Sequence, residues 1–240
     1  INTYINKCGE SQYLCRVLSK LSDESDRELF AMLALEFTNV KEEMDVRRYC
    51  MNEASKRGIQ LTVEAQNDLQ KKLLQIAASD GYHYAISLFT SMSVKEKELA
   101  ITWLGKGLIQ VNDVEHFYPE LYHYLQPSTG TIDANQMWCL DYFNKYKKAK
   151  IADHYDEDVA KIIEERNGTP VKFNNWYQKF HTTNNILNNR GDIEVFYWID
   201  GLGVDWIPLI AYLVEQKMSE KVFLNDAMIA RAVLPTKTDI

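Results

Sequence analysis

The chain has 240 residues, with 27 Lys+Arg against 34 Asp+Glu, 46% apolar residues, ten Gly and five Pro. The apolar share is enough for a core and excludes collagen-like, low-complexity and disordered classes. Few Gly and Pro argue against an all-β sandwich or barrel, and a net charge of −7 makes non-specific binding to a phosphate backbone a poor fit.

From the start to about residue 190 the apolar spacing is helical. Tyr13, Leu14, Val17, Leu18 and Leu21 line one face of a first helix. Ser25 or Asp26 caps a second, with Leu29, Phe30, Leu33 and Phe37 on its apolar face. A third runs from about Lys41 to Lys56 and stops at Arg57-Gly58, a C-cap signature. Thr62 opens a helix to about Ala78 that Asp80-Gly81 ends, and Ser93 caps another to about Leu108. Shorter helices are expected over Val114–Leu125, Asp133–Ala152, Glu157–Glu165 and Asn174–His181, separated by turn chemistry at Gln126–Gly130 and Asn167–Pro170. No fixed repeat period is evident, so a non-repeating helical domain is expected rather than a solenoid.

After Thr182 the composition shifts. A polar breaker leads into Glu194-Val195-Phe196-Tyr197-Trp198-Ile199, an apolar run suited to a central strand, which ends in Asp200-Gly201. Asp205 to Met218 reads as a helix with Pro208 in its first turn, and Val222 to Leu234 reads as partly extended. The fold class expected is therefore mainly α: a multi-helix domain over residues 1–185, then the first β-α-β of an α/β core over residues 186–240. So short a piece of parallel sheet cannot cover both of its own faces. The chain opens on Ile1 rather than Met and closes on Leu234–Ile240 without a stop signal, so it reads as a piece of a longer protein.

The four cysteines (Cys8, Cys15, Cys50, Cys139) include no C-x-x-C pair. Cys8 and Cys15 would lie two helical turns apart, too far for a disulfide, and reduced buried thiols of a cytosolic protein are expected. The longest apolar stretch, Trp206 to Val214, has nine residues and contains Pro208, so no membrane span is expected, and no signal peptide is visible.

Chemistry concentrates at two places near the end. Ligands of open α/β sheets bind outside the carboxyl ends of the strands, where Asp200 would stand beside Gly201 and Gly203. Thr238, 38 positions after Asp200, lies in Pro235-Thr236-Lys237-Thr238. A carboxylate and a hydroxyl so placed are compatible with one metal site in which the cation lowers the hydroxyl pKa. Asp200-Gly201 also fits a hairpin turn or a plain turn residue, and Thr238 a terminal residue without a role.

The sequence Phe196-Tyr197-Trp198-Ile199-Asp200-Gly201-Leu202-Gly203, followed by Leu234-Pro235-Thr236-Lys237-Thr238, resembles the alkaline phosphatase superfamily, and within it the PglZ domain of bacterial phage-defence proteins. The resemblance covers about the last 45 residues. It implies that Asp200 is a metal ligand and Thr238 the nucleophile of a metal-dependent phosphatase or phosphodiesterase, with zinc as the divalent metal. It further implies a cytoplasmic bacterial protein working with other defence-system subunits or nucleic acid. The superfamily's other Asp and His ligands have no matching positions here, so no bound metal and no activity are expected of these 240 residues alone. A non-catalytic helical adaptor fits the composition equally, and a phosphomutase of the same superfamily would carry Ser in place of Thr238.

Two further features invite a function. Glu120 and His123 have the Glu-x-x-His spacing of di-iron bundles, and His116 would share their helix face. No second such motif exists, so Phe117, Tyr118, Leu121, Tyr122 and Tyr124 are expected to form an aromatic packing surface. His83, His154 and His181 are isolated. Lys145-Tyr146-Lys147-Lys148-Ala149-Lys150 reads as a solvated helix face, with a nucleic-acid or partner contact as the other reading. Asn167-Gly168-Thr169 fits a glycosylation sequon, which carries little meaning without a secretory signal.

Overall fold

A computed structural model describes residues 58, 63–90, 93–128, 136–184, 199, 202–218 and 227–231. The helices expected before residue 57, the expected domain boundary near residue 185 and the run 194–198 lie outside them. Among the described residues the secondary structure is eight α-helices and two 3-10 turns, without a strand. None of these helices is long and apolar enough to cross a membrane. The chain divides into two compact units, Ile1–Pro119 and Glu120–Ile240.

In the first unit α1 (Val63–Asp80) buries Leu69, Leu73 and Ala77, spaced one helical turn apart. Gly81 ends it with φ 93°, a conformation that an L side chain would strain, and the chain re-enters α2 (Tyr82–Ser87) at once. Apolar spacing does not reveal this helix, because six residues are too few to show a period. Ser93 caps α3 (Val94–Gly105) as expected, its hydroxyl accepting from the Lys95 N–H at 3.1 Å. Trp103 and Phe117 pack against Phe89, with ring centroids 5.2 and 5.1 Å away. Glu96 is fully buried, and its carboxylate accepts from the Thr90 N–H at 2.8 Å and the Thr90 hydroxyl at 2.9 Å. A carboxyl group in a core is held this way because each lone pair kept from water needs a donor.

The helix expected over Val114–Leu125 is two elements. A 3-10 turn covers Val111–Val114, and α4 starts only at Pro119 and runs to Leu125. Proline has no N–H and pushes the residue before it out of the helical region, so the pattern breaks at Tyr118. His116 therefore lies in the turn between them rather than on the helix of His123.

In the second unit α5 (Trp138–Ala152) buries Cys139, Leu140 and Lys147. It ends at Asp153 in the left-handed conformation, φ 48°. Asp156 caps α6 (Glu157–Asn167) by accepting from two backbone N–H groups. Helix α7 spans Pro170–Tyr177, four residues before the expected start at Asn174. Thr169 is its N-cap and Pro170 its first residue, a pair well suited to opening a helix. A 3-10 turn over Val204–Trp206 leads into α8 (Ile207–Met218), matching the expected Asp205–Met218. Thr182 and Arg231 form a parallel β-bridge, with Arg231 N–H donating to the His181 carbonyl at 2.9 Å.

Candidate functional site

Asp200 and Thr238, the residues expected to carry the chemistry, lie outside the described residues. Ile199, which precedes Asp200, is 64% exposed and outside any strand. On the other side of the acid, Gly203 has an extended backbone, φ −87°, so no strain requires a glycine there. Its lack of a side chain is needed for another reason: a Cβ at 203 would lie 2.5 Å from Asp205 Oδ1.

Asp205 is the centre of this region. It is 4% exposed, and its Oδ2 accepts a 2.9 Å hydrogen bond from the Tyr124 hydroxyl. Lys150 Nζ stands 4.0 Å from the same oxygen and lies over the rings of Trp206 and Tyr124, at 5.4 and 5.6 Å. Burial, then the hydrogen bond to Asp205, raises the Tyr124 pKa well above that of a free phenol. The carboxylate is thus engaged by a hydroxyl and faced by an ammonium. This arrangement suits a structural tie and does not resemble a free metal ligand. Among the described residues no group of three or more His, Cys, Asp and Glu could hold a metal ion.

The basic run expected to be a solvated face is only partly so. Lys147 is 1% exposed, and its ammonium donates to the Gln126 carbonyl at 2.5 Å. Asn144, one turn earlier on α5, accepts from the Ser128 N–H at 2.8 Å, so the two residues hold the 126–128 turn. Burial lowers the Lys147 pKa to about 8. Lys145 behaves as expected, half-exposed and paired with Asp141 at 3.0 Å. A signal for Lys147 exists in the sequence: it comes seven positions after Leu140 and so falls on the apolar face of α5.

His123 stacks on Tyr212 with centroids 3.8 Å apart, and Leu121 and Tyr124 are buried, so the aromatic surface of α4 is packed. His83 is exposed and lies 3.1 Å from Asp113. Cys139 is a buried free thiol, pushed up to about 11 by burial; Cys8, Cys15 and Cys50 lie outside the described residues.

The second unit also holds a cavity of about 390 Å³ between α5, α6, α7 and the 229–231 segment. Trp138, Trp176, Tyr177 and Phe180 line it, together with Arg166 and Arg231. No sequence motif marks it, because its residues come from five separate stretches of chain. No family model matches this chain, and no curated protein or solved structure matches it either.

Proposed function

We propose that the chain is the N-terminal part of a PglZ-type, metal-dependent phosphohydrolase, a phosphatase or phosphodiesterase of bacterial phage defence. The observation that carries this reading is the pairing of Phe196–Gly201 with Pro235–Thr238 in one sequence. The 3-10 turn at Val204–Trp206 and helix α8 support it, because a turn and a helix must come after such an acid. The parallel bridge between Thr182 and Arg231 is compatible with a parallel sheet.

In this reading Asp200 is a metal ligand. The Thr238 hydroxyl attacks phosphorus and loses its proton as the new P–O bond forms. The ester P–O bond breaks, the alcohol departs, and water then cleaves the phosphothreonine to release the phosphoryl product. A divalent cation at such a site, zinc by the resemblance, supplies a lowered hydroxyl pKa and neutralises phosphoryl charge. The remaining ligands come from residues farther along the parent protein, which works in the cytoplasm with other defence subunits or nucleic acid.

The test uses the full-length parent protein. Thr238→Ala is expected to abolish hydrolysis of bis-p-nitrophenyl phosphate while metal content stays unchanged. Asp200→Asn is expected to lower both. Hydrolysis that persists in Thr238→Ala overturns the assignment. The second reading, a non-catalytic helical adaptor, is favoured by the cavity lined by aromatic residues and two arginines. Downstream sequence without Asp and His at strand ends would decide for it.

A further inference from the structure

The cavity in the second unit has about 390 Å³ of space, within the ~300–1,000 Å³ usual for small-molecule sites. Its walls offer aromatic faces from Trp138, Trp176, Tyr177 and Phe180. Arg166 and Arg231 are among its lining residues, and no carboxylate is among the described ones. The Arg166 guanidinium lies 4.1 Å over the Trp138 ring, which satisfies one of its faces. Its Nε is buried and has no hydrogen-bond partner. Arg231 lies 5.4 Å over Tyr177 and donates its Nε to the Phe180 carbonyl at 3.1 Å.

Packing alone explains why Arg166 covers Trp138. The Arg166 Nε, shut off from solvent, is not the atom that a molecule in the cavity would meet. Packing does not call, however, for a second arginine, the half-buried Arg231, in the same lining. Among the described residues no carboxylate pairs with either arginine. Among its described lining residues the cavity thus has two cations, no anion, and open space between aromatic rings. Two monocations match a dianion better than a carboxylate, and a phosphate monoester carries about −1.5 to −2 near neutral pH. Guanidinium groups also fit phosphate oxygens in pairs of hydrogen bonds.

We propose that this cavity binds a nucleotide, its base lodged among the aromatic rings and its phosphate on Arg166 and Arg231. The shared chemistry, an aromatic base joined to a phosphate monoester, is met by a free mononucleotide or by the 5′-phosphorylated end of a single strand. The site does not involve Asp200 or Thr238, so it stands apart from the phosphohydrolase reading.

The test is titration of the full 240-residue chain at physiological ionic strength, monitored by tryptophan fluorescence and calorimetry. The probes are AMP, adenosine, inorganic phosphate, and a short oligodeoxynucleotide with and without a 5′-phosphate. AMP is expected to bind about tenfold or more tightly than adenosine or phosphate, since each lacks one half of the contact. Arg166→Gln and Arg231→Gln are each expected to weaken AMP about tenfold while adenosine binding stays unchanged. A phosphorylated strand that binds no better than AMP identifies the free nucleotide as ligand; a strand about tenfold tighter identifies the strand end. Should either variant fail to fold by circular dichroism, the comparison of the three small probes decides alone. No binding of AMP, equal binding of AMP and adenosine, or AMP binding that survives both folded variants overturns the proposal.

Discussion

The Tyr124 hydroxyl donates a 2.9 Å hydrogen bond to Asp205 Oδ2, joining residues 81 positions apart. Both groups are buried, so each compensates the other for leaving water, and removing one exposes that cost. Tyr124→Phe is therefore expected to lower stability by about 2 kcal/mol, measured by urea unfolding. A loss within error of zero would mean that Lys150 alone satisfies the acid.

Gly203→Ala places a methyl carbon 2.5 Å from Asp205 Oδ1. The carboxylate must turn, and turning it lengthens the bond from Tyr124. The expected cost is about 1–3 kcal/mol. In a double-mutant cycle the Gly203→Ala and Tyr124→Phe effects should not add, because both act on one contact. Additive effects would show that the methyl is accommodated elsewhere.

Lys147 makes a prediction about pH. Its folded pKa is lowered to about 8 from the usual 10.5, so between those values the unfolded chain binds more protons than the folded one. Stability contributed by this residue then rises with pH, by at most about 1.4 kcal/mol per pH unit. Cys139, raised to about 11 from 9.0, works in the opposite direction above pH 9. The comparison that isolates the lysine is wild type against Lys147→Met by urea unfolding at a series of pH values. The wild type should gain on the variant as pH rises through 8 to 10.5. A change in the variant's favour over that range would reverse the assignment.

Glu96 is a buried carboxyl group whose oxygens hold the Thr90 N–H and hydroxyl. Glu96→Ala removes the acceptor of the buried Thr90 N–H and should cost about 3 kcal/mol or more. Glu96→Gln keeps an acceptor and should cost clearly less. Thermal unfolding of the two variants side by side checks the order, and equal losses would refute it.

How much of this was legible in the chain itself depends on the range of the signal. Helices α1, α3, α6 and α8 come from apolar spacing and from caps such as Ser93, which are settled within a few residues. Pro119 and the Thr169-Pro170 pair carry equally local signals, which mark the break before α4 and the start of α7. The motif at Asp200 and Thr238 is a property of the sequence, and both residues lie outside the described ones. Tertiary structure alone decided that Lys147 meets the Gln126 carbonyl, that Asp205 meets Tyr124, and that Arg166 and Arg231 face one aromatic cavity. A side chain's charge and helical register can be read along the chain, but its partner arrives from another stretch. Which partner a charged side chain meets is settled only when those stretches pack together.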